Sequence, residues 1–254
     1  MGKTKAKLQN GQPALGGWML IGHPSVAELL AGEGFDWIGV DLEHSTIDSR
    51  TFNEIMLAVK GTACDVFARL HSCDPVQAKR VLDAGADGII VPSVNSGQEA
   101  ELAVAMAKFP PEGFRGSSVS RAADYGRSFQ QYFHSHNKNV LVAIMLEHIK
   151  AVANVDEILS TEGIDTAFIG PFDLSASMGK AGQTEDPEVL AAQQKLLEAC
   201  KRHNVPAGIH VLQVDSEKVT ERIEQGYQFV GCAIDTLLIM HGCRSILPGV
   251  TESG

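Results

Sequence analysis

Two carboxylates end two consecutive apolar segments near the middle of the chain. The segment LVAIMLE ends at Glu147, and after a spacer of helical length the segment TAFIGPFD ends at Asp173. If both segments are parallel strands of one sheet, the two carboxylates lie at the same edge of neighbouring strands. Two hard oxygen ligands suit Mg²⁺ or Mn²⁺. Acidic side chains at strand-to-helix junctions also cap helices, so the spacing alone leaves metal binding and helix capping both open.

Polar side chains also stand at the ends of the other apolar segments. They are His23, Glu43, His44, Arg69, His71, Ser93, His210 and Asp235. No lysine is among them, although an aldolase or decarboxylase that works through a Schiff base needs a desolvated lysine beside the substrate carbonyl. We therefore expect a metal ion to act as Lewis acid on a chelating 2-oxo acid.

Arg69 and His44 have roles under this hypothesis. Arg69 offers a donor fork to a carboxylate or to a developing enolate oxygen. A neutral His44 could accept or return a proton, and Asp83 or Asp41 could orient its imidazole. The structural alternatives are a salt bridge for Arg69 and a loop-supporting hydrogen bond for His44.

The segment GPFDLSASMG permits two interpretations that are compatible with each other. Gly170 and Pro171 form a turn, and Asp173 caps a helix that starts at Leu174. The amino terminus of that helix would also present backbone N–H groups to a substrate carboxylate.

Apolar strand-like segments alternate with helical segments along the whole chain. The predicted strands are Gly17–Ile21, Trp37–Leu42, Asp65–Leu70, Gly88–Val91, Val140–Glu147, Thr166–Ile169, Ala207–Val211 and Gln228–Ala233. The predicted helices include Val26–Ala31, Arg50–Val59, Pro75–Ala84, Gly97–Lys108, Glu188–His203 and Ser216–Gln225. Eight strands alternating with helices indicate a closed (β/α)₈ barrel, with an open doubly wound sheet as the alternative. We expect one barrel domain over residues 1–254.

One segment interrupts this alternation, from Phe109 to Asn139. A loop of that length inside a compact domain is usually functional or disordered. Its phenylalanine, tyrosine and arginine residues favour an ordered lid or a subunit contact over disorder.

The charge and the cysteines exclude several classes of protein. The 254 residues carry a formal net charge of −10, which argues against a nucleic-acid or anionic-membrane surface. No segment reaches the ~20 apolar residues of a membrane span, and the N-terminus lacks the apolar core of a signal peptide. The five cysteines are odd in number and form no C-x-x-C pair. We expect reduced thiols and a cytoplasmic protein.

Five segments of the sequence resemble, in order, the HpcH/HpaI family of class II pyruvate aldolases. They are DLEHSTID (41–48), DPVQAKRVLDAGADGIIVPSV (74–94), FPPEGFRG (109–116), MLEHIKAVANVDEIL (145–159) and FIGPFDLSASMG (168–179). The resemblance implies a (β/α)₈ TIM barrel of the phosphoenolpyruvate/pyruvate type. It also implies a homo-oligomer, a trimer or a hexamer, with the C-terminal helix exchanged between subunits.

The resemblance extends to the residues that carry the chemistry. Glu147 and Asp173 match the family's metal ligands, and His44 matches its general base. Arg69 matches the arginine that stabilises the enolate, and Asp83 matches the aspartate that orients the histidine. The implied metal is Mg²⁺ or Mn²⁺, with Co²⁺ also possible, and no organic cofactor is implied.

Substrate contacts are implied as well, together with some departures from the family pattern. The backbone at Phe172 and Asp173 and the seventh-strand residue Leu212 match the family's substrate contacts. Phe172 is bulky where the family carries a small residue, and Met145 stands where the family carries a glutamine. The acceptor aldehyde therefore stays open.

These observations predict a divalent-metal-dependent lyase that cleaves a 4-hydroxy-2-oxo acid to pyruvate, or a close analogue, and an aldehyde, and that runs the reverse aldol addition. Its partners are a small 2-oxo acid and an aldehyde. Two alternatives stay open: a CoA-thioester lyase of the citryl or malyl type, and a non-catalytic barrel that binds an oxo acid.

Overall fold

Eight parallel strands close into a barrel in the order in which they occur along the chain. The computed structural model describes residues 2–247. The strands are β1 Ala14–Met19, β2 Trp37–Asp41, β3 Asp65–Arg69, β4 Gly88–Val91, β5 Leu141–Leu146, β6 Thr166–Ile169, β7 Ala207–Val211 and β8 Phe229–Ile234. The predicted (β/α)₈ barrel is confirmed.

Helices connect the strands and cover the outside of the barrel. They are α1 Lys3–Gln9, α2 Pro24–Gly32, α3 Ser49–Ala58, α4 Pro75–Asp83, α5 Gly97–Ala107, α6 Phe129–Asn139, α7 Ile149–Ala153, α8 Val155–Leu159, α9 Pro171–Ser177, α10 Pro187–His203, α11 Ser216–Glu224 and α12 Asp235–Ile246. A 3₁₀ helix spans Arg121–Gly126.

Side chains at the residue before each helix explain where several helices begin. Asp48, Asp74 and Asp186 each accept a hydrogen bond from a backbone N–H of the first turn. His23, which was expected at a strand end, does the same: its Nδ1 accepts from the N–H of Ser25 at 3.2 Å. This histidine is therefore a helix cap.

β1 lies about three residues earlier than the predicted Gly17–Ile21. The strand starts early because Ala14 pairs with Phe229 of β8, and it ends early because Asp235 accepts hydrogen bonds from the N–H groups of Leu20 and Ile21 at 2.8–3.1 Å. Those two N–H groups therefore do not continue the ladder with a neighbouring strand.

Aromatic side chains fill the interior of the barrel. Trp37 stacks on Phe229 with ring centroids 4.1 Å apart, and Phe67 and Phe168 pack edge-on against Phe229. A Cβ atom at Gly16 would lie 2.0 Å from the Trp37 ring, so only glycine fits there. The barrel is a packed core, and space for a ligand is left above these rings, where the strands end.

The sequence did not predict α1, which covers the face where the strands begin. Lys5 Nζ donates to the carbonyl of Val140 at 2.7 Å and pairs with Asp165 at 2.9 Å. Leu8 packs into the interior cluster of the barrel. These contacts join residues more than a hundred positions apart, which a local pattern does not show.

The segment from Phe109 to Asn139 is ordered, as predicted. It contains the 3₁₀ helix and α6, and Arg121 donates to the carbonyls of Met56 and Ala84 at the carboxyl ends of α3 and α4. Those helix ends lie at the face where the strands begin. The segment is therefore no lid over the strand-end cavity of its own chain.

Candidate active site

A cavity of about 180 Å³ opens at the face where the strands end. It is lined by Trp18, Leu20, Asp41, His44, Arg69, Met145, Glu147, Phe168, Gly170, Pro171, Phe172, Asp173, His210, Leu212 and Ile234. Six of the seven residues to which the family resemblance assigns a role thus share one cavity: His44, Arg69, Glu147, Phe172, Asp173 and Leu212. No lysine lines it.

Glu147 follows the last residue of β5 and is buried. Its Oε1 accepts from the backbone N–H of Ser93 at 2.7 Å and lies 3.3 Å from the Ser93 hydroxyl. Its Oε2 is buried without a hydrogen-bond partner. Burial raises the pKa of Glu147, and the Arg69 guanidinium and the Ser93 N–H only partly offset this. One carboxylate oxygen is thus fixed by hydrogen bonds, and the other is buried without a hydrogen-bond partner, 3.8 Å from Arg69 Nη2.

The loops on both sides of Glu147 are shaped to fit it. Ser93 has φ +54°, a left-handed conformation that directs its N–H at the carboxylate. A Cβ atom at Gly170 would lie 2.9 Å from Glu147 Oε2. A side chain at Gly170 would therefore collide with this oxygen, and glycine leaves room for the carboxylate.

Asp173 lies in the first turn of α9, which begins directly after β6. α9 begins at Pro171 and not at the predicted Leu174, so the cap position is Gly170 and the prediction that Asp173 is the helix cap is wrong. The charge of Asp173 raises the pKa of both Glu147 and Glu43, although burial is the largest cause for each. Asp173 and Glu147 are thus electrostatically coupled across the cavity.

Arg69 is a buried guanidinium surrounded by carboxylates. Its Nη1 pairs with Asp41 at 3.2 Å, and its Nη2 pairs with Glu43 at 2.6 Å and lies 3.8 Å from Glu147 Oε2. Its Nε has no hydrogen-bond partner. The salt bridge, which was the structural alternative for Arg69, is therefore present, and the buried Nε is left without a protein acceptor.

Asp41 holds this part of the site together. Its Oδ2 accepts from Trp18 Nε1 at 2.9 Å as well as from Arg69, and its Oδ1 accepts from the N–H groups of Glu43 and His44. Burial alone would raise the pKa of Asp41, but Arg69 and these N–H donors hold it below its usual value. Asp41 thus orients Arg69 and the loop after β2, whereas the His44 imidazole is exposed and lies 3.7 Å from Glu43.

The structure does not bring Asp83 to His44, contrary to expectation. Asp83 ends α4, and its Oδ1 accepts from Arg115 Nη2 at 2.7 Å. Helices of this barrel run opposite to its strands, so the carboxyl end of α4 lies at the face where strands begin. Within the chain, Asp83 is part of a structural ion pair at the opposite end from the cavity.

Several lining residues carried no signal in the sequence. Trp18, Phe168 and Ile234 belong to apolar strands and cannot be distinguished from core residues by pattern. Ser93 was noted only for its position after β4, and its hydrogen bond to Glu147 depends on a backbone conformation that sequence does not reveal. His71 follows β3 as expected but does not line the cavity.

The donor set fits a divalent cation that the protein binds through two carboxylates. No group of three or more histidine, cysteine or acidic side chains that could hold a metal occurs among residues 2–247. Glu147 Oε2 and the exposed carboxylate of Asp173 are oxygen donors, and Mg²⁺ usually keeps several waters beside one or two carboxylates. A full protein cage is therefore unnecessary.

Comparisons with known proteins agree with this arrangement. Residues 15–242 match the family model described as HpcH/HpaI aldolase/citrate lyase. A protein named 5-keto-4-deoxy-D-glucarate aldolase, from Escherichia coli strain K12, is 38% identical over 234 residues, which cover 92% of this chain and 90% of that protein.

Two solved structures show the same architecture at high similarity. An HpcH/HpaI aldolase/citrate lyase family protein from Burkholderia cenocepacia J2315 superposes with a TM-score of 0.92 at 31% identity, covering 96% of this chain and 97% of that one. The citrate synthase SbnG superposes with a TM-score of 0.84 at 26% identity, covering 95% and 94%.

Proposed function

Because this chain belongs to the HpcH/HpaI aldolase/citrate lyase family, we propose that it cleaves a 4-hydroxy-2-oxo acid to pyruvate, or a close analogue, and an aldehyde, and that it catalyses the reverse addition. By its family and its aldolase relative it is a carbon–carbon lyase. The observation that carries the proposal is the free Oε2 of Glu147 beside Arg69 in a cavity without lysine.

Glu147 and Asp173 are the proposed metal ligands. Mg²⁺ or Mn²⁺ suits two carboxylate oxygens, and Co²⁺ is a possible substitute. The bound ion would supply Lewis acidity to the carbonyl of the oxo acid. Ser93 and Gly170 support this role, because Ser93 holds Oε1 in place and Gly170 has no side chain that would collide with the unpartnered Oε2.

Arg69 stabilises the negative charge that develops on the oxo acid when the C3–C4 bond breaks. Its free Nε faces no protein acceptor, and Asp41 fixes the guanidinium plane. A preorganised donor of this kind stabilises an enolate oxygen more strongly than water does, because it needs no reorganisation during the reaction.

His44 is the proposed base for the 4-hydroxyl group. Its imidazole lines the cavity and is accessible from solvent. In the cleavage direction it accepts the hydroxyl proton as the aldehyde forms. In the reverse aldol addition it returns that proton to the new hydroxyl group. The backbone at Phe172 and Asp173, in the first turn of α9, and the side chain of Leu212 are the proposed substrate contacts.

Pyruvate release from a panel of 4-hydroxy-2-oxo acids tests the proposal. We expect no release after EDTA treatment and dialysis, and recovery when Mg²⁺, Mn²⁺ or Co²⁺ is added back. Full activity in EDTA would refute the metal role, and trapping of pyruvate by borohydride would show a lysine imine instead. Cleavage of citryl- or malyl-CoA on the same panel would assign the thioester lyase reaction, and metal binding without any turnover would assign a non-catalytic barrel.

We also propose that the chain works as a homo-oligomer, a trimer or a hexamer. In α12 the side chains of Ile239, Met240 and Ile246 are exposed, and within that helix only Asp235 is buried against the chain. Light scattering on the full chain checks the mass, and a monomer at micromolar concentration would contradict the proposal.

The state of the cysteines indicates in which cellular compartment the protein works. All five are free, and burial raises the pKa of Cys64 and Cys200 to about 12. We place the protein in the cytoplasm, where such thiols stay reduced. No helix within residues 2–247 has the length and apolar character needed to cross a membrane.

A further inference from the structure

His210 is a polar side chain in an otherwise aromatic part of the cavity. It lies in β7, and its ring packs on Trp18 with centroids 4.9 Å apart. Trp18 in turn packs on Phe168 at 5.6 Å. None of the steps proposed above uses this imidazole, although it lines the same cavity.

The backbone of β8 is shaped around His210. Ala233 has φ +58°, a left-handed conformation that L residues rarely adopt. Its carbonyl oxygen accepts a hydrogen bond from His210 Nε2 at 2.9 Å. A Cβ atom at Gly231 would lie 2.9 Å from His210 Cδ2, so glycine there makes room for the ring. The strained Ala233 thus offers its carbonyl oxygen to the His210 imidazole, and the missing side chain at Gly231 leaves space for the ring.

This hydrogen bond fixes the tautomer. A carbonyl oxygen only accepts, so Nε2 carries the proton. Burial lowers the pKa of His210 to about 4, and the imidazole is therefore neutral near pH 7. Nδ1 is then a hydrogen-bond acceptor. It has no hydrogen-bond partner among residues 2–247, and the side chain is partly exposed at the cavity.

The position of the ring indicates which reactant it meets. Arg69 Cζ lies 5.9 Å from the Trp18 ring, and Trp18 shares Asp41 with Arg69 as hydrogen-bond partner. His210 therefore belongs to the deep end of the cavity, where Arg69 holds the oxo acid. The aldehyde enters from the mouth, beside the exposed Phe172.

We propose that His210 is a specificity-determining residue that accepts a hydrogen bond from a hydroxyl group on C3 of the oxo acid, so that the site favours a hydroxylated oxo acid over pyruvate. This inference rests on the enolate chemistry proposed above. The methyl group of pyruvate donates no hydrogen bond and leaves Nδ1 unpaired, which disfavours pyruvate.

Deuterium exchange at C3 tests the assignment without an aldehyde. The enzyme with Mg²⁺ is incubated in D₂O with hydroxypyruvate or with pyruvate, and loss of the C3 proton signal is followed by NMR. The measured quantity is the ratio of kcat/KM for the two oxo acids. The variants are His210→Leu, which removes the acceptor, and His210→Asn, which keeps an acceptor oxygen. His134→Leu on the exposed side of α6 is the matched control.

We expect the hydroxypyruvate-to-pyruvate ratio to fall about 10-fold or more in His210→Leu, which corresponds to the loss of one hydrogen bond with its partner left unpaired. His210→Asn should retain part of the preference, and His134→Leu all of it. An unchanged ratio in His210→Leu would overturn the assignment while leaving the enolate chemistry in place. Exchange of neither oxo acid by the wild type would overturn both.

Discussion

The two ends of the barrel each carry a polar cluster built around one buried arginine, and the clusters differ in their charge balance. At the face where strands begin, Arg115 pairs with Asp83 at 2.7 Å and bonds to Tyr132 at 2.9 Å. Its guanidinium also lies over the Phe109 ring at 4.7 Å. One cation meets one anion there, although Arg115 Nε, like Arg69 Nε, has no hydrogen-bond partner within residues 2–247.

At the face where strands end, a single guanidinium meets four carboxylates. Arg69 contacts Asp41, Glu43 and Glu147, and Asp173 interacts electrostatically with the last two. An excess of negative charge is unfavourable where part of it is buried, unless a cation offsets it. The two clusters therefore differ in charge balance: the strand-start cluster pairs one cation with one anion, whereas the strand-end cluster has the excess of carboxylates that the proposed cation would offset.

The largest expected effect comes from the unpaired carboxylate. Glu147→Gln keeps the shape of the side chain but removes a proposed metal ligand, so we expect pyruvate release to fall on the order of 10³-fold. The metal-free variant should be at least as stable as the wild type, because one of several crowded charges is gone. Glu54→Gln, in an exposed pair on α3, is the control. Wild-type turnover in Glu147→Gln would show that the strand-end cluster needs no metal.

Asp87 provides a pH-dependent test at the strand-start face. Burial raises its pKa to about 7, with Asp65 adding to the shift and the Val66 N–H and Arg121 opposing it. The folded state therefore holds a proton that the unfolded state, with a carboxyl pKa of about 3.9, releases. The stability that this proton contributes is fully present below about pH 4 and is lost as the pH rises through about 7.

Asp87→Asn removes this dependence. We expect the variant to exceed the wild type in free energy of unfolding by about 2–4 kcal/mol at pH 8 and to match it near pH 4. Burial lowers the pKa of His136 to about 4, which has the opposite effect on the pH dependence of stability. With Asp87 removed, the free energy of unfolding of the variant should therefore rise from pH 4 to about 6.5. Urea unfolding across this range measures both slopes. A constant difference between the proteins would refute the assigned shift.

Asp83→Asn tests whether the strand-start cluster affects only stability and not catalysis. Arg115 would lose its charged partner, so we expect a loss of about 1–3 kcal/mol in the free energy of unfolding. Below the unfolding temperature, kcat should stay within about twofold, because Asp83 lies at the opposite end of the chain's barrel from His44. A large loss of kcat at unchanged stability would instead give Asp83 the histidine-orienting role that the family resemblance implies.

Most of the strand-end site could be predicted because it depends on local pattern. Apolar segments that end in Arg69, Glu147 and Asp173 identify consecutive strands, and the parallel order of the barrel brings their ends together. The same topology explains why Asp83 does not lie beside His44 within one chain. The residue matches a motif by sequence, but a helix end in this fold lies at the face opposite to the strand ends.

Other features could not be predicted because they depend on contacts distant in sequence or on backbone conformation. The end of β1 depends on Asp235, more than two hundred residues away. The packing of His210 on Trp18 requires the barrel to close between β8 and β1. The left-handed conformation of Ser93 has no glycine or asparagine to mark it.

Ser93 also gives the smallest expected effect. Ser93→Gly keeps the N–H that donates to Glu147 at 2.7 Å and removes the hydroxyl at 3.3 Å. Glycine relieves the strain of the left-handed conformation, which stabilises the folded protein, but it also increases the entropy of the unfolded chain, which destabilises the folded protein. Because these effects oppose each other, the free energy of unfolding should change by less than about 1 kcal/mol. Metal affinity, followed by calorimetry with Mn²⁺, should stay within about threefold, since the shorter bond is the one that fixes Oε1. A much larger loss of affinity would assign the positioning of Glu147 to the hydroxyl and would make the strand-end cluster depend on a side chain rather than on the backbone.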